Sequence, residues 1–114
     1  MSEAQIEQIE LDIQEAKKLI NAKEHLLRLE SYPAFNELIV EGYFKKEASR
    51  LVMMKANPAT QDDETQHAIN KAIDSIGGLQ QYFNKVINLG SMAESSLDSH
   101  EATREELLMT ETGG

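Results

Sequence analysis

The chain has 114 residues, about the size of one domain. Its 20 acidic side chains outnumber 11 basic ones for a net charge of −9, which argues against a phosphate-backbone ligand, since that requires a clustered basic face. It contains no cysteine, which excludes disulfides, thiolate metal centres and cysteine nucleophiles. Residues 3–31 then read as one long helix. Ile6, Ile9, Ile13, Ala16, Ile20 and Leu27 follow steps of 3, 4, 3, 4 and 7, the seam of a coiled coil, with Lys23 at the position between the last two. Glu3, Glu7 and Glu10 come early and Lys17, Lys18, Lys23 and Arg28 come late, an order that complements the helix dipole. Such a helix is about 43 Å long, whereas a domain of this size has a radius of gyration of about 13 Å. The excess length predicts self-association along Ile6, Ile9, Ile13 and Ile20.

Ser31-Tyr32-Pro33 ends the first helix and starts a second over 33–56. Phe35, Leu38, Ile39, Tyr43, Phe44, Ala48, Leu51 and Val52 make its broad apolar face. Gly42 inside that run predicts a close crossing or a bend. Met53 and Met54 read as core, with an adaptable binding surface as the other reading. The basic stretch Lys45, Lys46, Arg50, Lys55 reads as a solvated face. Thr60 is the expected N-cap of a third helix, 60–89, with Asp63 three residues on. Its apolar period continues across Gly77-Gly78, which favours one helix with a weak point, and Leu89-Gly90 reads as its stop. A short acidic helix is expected at 97–109, capped by Asp98, and a disordered tail at 110–114. No strand pattern competes. The expected fold is all-α: a long coiled-coil-like N-terminal helix packed with two further helices as an antiparallel bundle, plus the short C-terminal helix.

Chemistry is sparse. Glu64 and His67 have the Glu-x-x-His spacing of di-iron bundles, but a second such pair is missing. His25 and His100 neighbour Glu24 and Glu101 in sequence, and adjacent helical residues do not face each other. Gly77-Gly78 lacks the strand before and the Lys-Ser/Thr after that a phosphate loop needs. The reading is therefore no catalytic residue, no metal site and no cofactor. The start lacks the basic and apolar regions of a secretory signal, and Leu51–Met54 is far shorter than the roughly 20 residues of a membrane helix.

Residues 30–44, with Glu47-Ala48-Ser49-Arg50-Leu51-Val52, and the stretch Ala72–Phe83 resemble small acidic helical proteins of tailed bacteriophages. Such proteins are often encoded among virion and head-assembly genes. The resemblance covers most of the chain and carries no catalytic motif with it. It implies a non-enzymatic structural or assembly protein: a scaffold, plug or minor virion component. The implied setting is the host cytoplasm or the virion. The expected partners are the chain itself and another phage or host protein, with no membrane and no nucleic acid. The alternative is an acidic phage protein that inhibits a basic host factor, in the manner of nucleic-acid mimicry. Charge supports that alternative. Residues 59–114 hold 3 basic and 10 acidic side chains, net −7, while residues 1–58 hold 8 and 10, net −2.

Overall fold

The computed structural model describes residues 2–112. They form α1 (Ser2–Glu30), α2 (Pro33–Phe35), a π-helical stretch (Asn36–Glu47), α3 (Ala48–Ala56), a 3-10 turn (Pro58–Thr60) and α4 (Asp63–Thr112). There is no strand among the described residues, and the fold is all-α as the periodicity predicts. The chain divides into two compact units. A terminal unit takes the residues through Leu26 and those from Lys85 onward, and a middle unit spans Leu27–Asn84.

In the middle unit, Pro33 opens the second helical segment because its missing N–H falls where no helical partner exists. From Asn36 the backbone winds wider than an α-helix. The wide turn keeps Tyr43, Phe44 and Ala48 on the core formed by Leu51, Ile69 and Ile76. Gly42 sits inside this stretch. A Cβ there would stand 2.9 Å from the carbonyl oxygen of Glu37, so the expected helix crossing or bend is instead a widened turn of the chain on itself. Phe83 of α4 packs edge-on against Phe44 (5.6 Å between ring centroids) and tilted against Phe35 (6.2 Å), while the later Leu51 packs with the earlier Ile69 and Ile76, so the two segments run antiparallel.

No glycine closes α3. Its last carbonyls, and that of Thr60 in the turn after it, are taken by side chains from the connection and from α4. Gln66 Nε2 donates to Lys55 O (3.0 Å) and Thr60 O (2.9 Å), Gln61 Nε2 donates to Lys55 O (3.0 Å), and the Thr60 hydroxyl donates to Met54 O. Thr60 therefore ends α3 and does not cap α4. The cap is Asp62, whose Oδ2 accepts from the Thr65 N–H (2.9 Å) and the Thr65 hydroxyl (2.7 Å). Those hydrogen bonds hold the Asp62 carboxyl below its ordinary pKa.

In the terminal unit, α1 packs antiparallel on the later part of α4. Ile13, Ala16, Leu26 and Ala93 are its buried apolar residues. α4 runs through Gly77 and Gly78, where an added Cβ would meet nothing within 4 Å. It also runs through Gly90, which corrects the expected stop. Gly90 is a contact point: a Cβ there would collide with Lys23 Cβ, lie 2.9 Å from Lys23 Cδ and 3.0 Å from Leu19 O. A glycine that removes a side chain from an interface and one that ends a helix look alike in sequence. The expected short helix 97–109 is the end of α4, where Asp98 is an interior residue and not a cap. The helix also covers Thr110–Thr112 of the expected tail, while Gly113 and Gly114 lie outside the described residues.

Candidate functional site

The α1 seam was the first candidate. Ile13 is 3% exposed and covered by its own chain, so the expectation that it faces a second copy is corrected. Ile6, Ile9 and Ile20 are half-buried. The physical reason is that α4 continues past Gly90 and brings its own later turns against α1. Lys23 shows how the pairing is set. Its side chain lies over Gly90, where no side chain competes, and its Nζ reaches Glu94 Oε1 at 2.8 Å. One turn separates Gly90 from Glu94, so the same face of α4 supplies both the space and the counter-charge. The cation at this seam position is thus matched to both Gly90 and Glu94 on one face of α4.

Beside this contact lies an open groove of about 470 Å³, wholly within the terminal unit. α1 contributes Asp12, Glu15, Ala16 and Leu19, spaced to share one helix face. α4 contributes Leu89, Met92, Ala93, Ser96 and His100 in the same manner. The floor is apolar, and Met92 at the lip is 67% exposed. The α1 rim is acidic. Asp12 accepts a hydrogen bond from Gln8 Nε2 at 3.1 Å. Glu15 pairs with Lys18 at 3.4 Å, a contact too solvated to neutralise it. The terminal unit as a whole carries 5 basic and 12 acidic side chains, net −7, against 6 and 8, net −2, in the middle unit. The groove was not singled out from sequence. Its signal is the pair of i, i+3/i+4, i+7 stripes beside the buried seam, visible only once α1 and α4 are known to pair.

The second candidate is the outer surface of the middle unit. Leu51 is core and Met54 is half-buried, as expected, but Val52 and Met53 are 58% and 72% exposed. They line shallow hollows with Lys45 and Phe44 on one side and Arg50 and Pro58 on the other. The basic charges there are answered locally. Lys45 pairs with Glu41 at 2.9 Å, and the Arg50 guanidinium donates to Glu47, holding that carboxyl below its ordinary pKa. This is the solvated face the sequence predicts.

Among the described residues, no group of three or more His, Asp or Glu side chains could hold a metal ion. Glu64 and His67 are both exposed at the start of α4. His25 is exposed, and His100 lines the groove. Among the described residues, no helix is long and apolar enough to cross a membrane. Compared with protein families, with curated proteins and with solved structures, the chain matches none.

Proposed function

We propose that this chain is a non-enzymatic docking protein that captures a basic partner through its terminal unit. The observation that carries the reading is the open apolar groove with an acidic rim, in a unit of net charge −7. An apolar floor supplies affinity, and a surrounding field of one sign steers and selects the partner. The resemblance of residues 30–52 and 72–83 to tailed-phage proteins supports a viral setting, with a basic host or virion protein as the target.

A second reading is favoured by a different observation. Ile6, Ile9 and Ile20 are only partly covered by their own chain, which supports helix-mediated self-association of an assembly component, a scaffold, plug or minor virion protein. Mass spectrometry of purified particles beside a pull-down from host lysate separates the two. Capture of basic proteins that elute as salt rises supports the first, because screened surface attraction weakens with ionic strength. Many copies in the particle and no salt-sensitive capture refute it and leave the second.

A further inference from the structure

We propose that the groove between α1 and α4 of the terminal unit receives a single basic amphipathic helix of another protein, laid apolar face down. The proposal rests on the partner-capture reading and names the partner's shape and chemistry. The geometry comes first. From Leu89 to His100 the α4 wall runs 11 residues, about 16 Å at 1.5 Å per residue, or three turns of a docked helix. Two helical walls with an apolar floor of Leu19, Leu89 and Ala93 form a trough open along its length. A trough accepts a rod, and apolar residues at i, i+3, i+4 and i+7 of the rod would meet that floor. Met92 at the lip is unbranched and polarizable, so it adjusts to different apolar side chains.

Charge selects the occupant. Asp12 and Glu15 stand on the rim, where flanking Lys or Arg side chains of a docked helix would reach. A second copy would bring another net −7 unit against this one, and an anionic membrane surface would be repelled in the same way. A small ligand would need converging polar groups in an enclosed pocket, and this groove is open with an apolar floor.

The test measures fluorescence anisotropy of a labelled 18-residue Leu/Lys peptide patterned as an amphipathic helix. A permuted peptide of the same composition, without an apolar face, is the control. Two variants each add one negative charge at an exposed apolar residue: Met92→Asp in the groove, and Leu38→Asp, 69% exposed in the middle unit. Circular dichroism verifies that both retain their helices. The expected result is that the patterned peptide binds more tightly than the permuted one. Met92→Asp should then weaken it at least about tenfold, while Leu38→Asp binds as the wild type or slightly tighter. Equal binding of both peptides, or wild-type affinity in Met92→Asp, overturns the groove while leaving charge-driven capture standing. Binding of neither peptide at low salt overturns both. If light scattering shows a dimer that Met92→Asp converts to monomer, the groove belongs to a second copy and the proposal falls.

Discussion

Replacing Gly90 by alanine adds one methyl group where α4 touches α1. In an isolated helix that change is favourable by about 1 kcal/mol, since alanine loses less backbone entropy than glycine. Here the new Cβ would sit 3.0 Å from the carbonyl oxygen of Leu19 and against the Cβ of Lys23. Both atoms are fixed to the α1 backbone, so neither can rotate away and the helices must separate. Overpacking of this kind costs about 1–3 kcal/mol, and rigid neighbours favour the upper end. The net expectation is a loss of about 2 kcal/mol. Gly77→Ala and Gly78→Ala provide the comparison within the same helix. Nothing lies within 4 Å of either added Cβ, so each should gain about 1 kcal/mol. For a chain of this length, 1 kcal/mol moves the melting temperature by about 4 °C. Thermal unfolding followed by circular dichroism should thus show a rise of about 4 °C for Gly77→Ala or Gly78→Ala and a fall of about 8 °C for Gly90→Ala. If Gly90→Ala is as stabilising as the other two, α1 and α4 do not approach there, and the terminal unit as described is wrong.

Further outcomes test other elements. Gly42→Ala should lower the urea midpoint, because its Cβ would meet Glu37 O at 2.9 Å; a gain of the ordinary helical amount would mean that residues 36–47 are α-helical. Asp62→Ala should lower the melting temperature at neutral pH by removing the α4 cap. The Asp62 pKa is depressed in the folded chain, so its contribution is present above the unfolded value of about 3.9 and is lost as pH falls through the lower folded value. The gap between wild type and Asp62→Ala should accordingly close below about pH 4, and a gap independent of pH would remove the charged cap from the account. In a double-mutant cycle of Lys23→Met and Glu94→Gln, a coupling of up to about 1 kcal/mol is expected for a partly exposed pair. A zero coupling would show that Lys23 holds its place by the packing of its stem over Gly90 alone.

Much of this molecule follows from local chemistry. The 3–4 spacing of Ile6, Ile9, Ile13 and Ala16 makes a helix with one apolar edge whatever lies beside it, and Pro33 and Pro58 mark where helical segments begin anew. The acidic excess, the absence of cysteine and the continuous helix across Gly77-Gly78 belong to the same level. The wide turn of 36–47 is not marked there: Phe35, Leu38, Ile39, Tyr43, Phe44 and Ala48 read as a broad α-helical face, and only the Leu51–Ile69–Ile76 core shows that Tyr43, Phe44 and Ala48 must align.

Tertiary structure decided what each edge meets. Ile13 reads equally well as a seam for another copy or for the chain's own distant helix, because apolar burial is non-directional. Only the passage of α4 through Gly90 assigns it to the latter. Gly90 itself carries no local mark that separates a stop from a contact, since the collision that defines it involves atoms 67 positions away in sequence, at Lys23. The groove is a further step removed: Leu19 and Met92 are unremarkable apart, and become two walls of one trough only when the backbone sets their helices side by side.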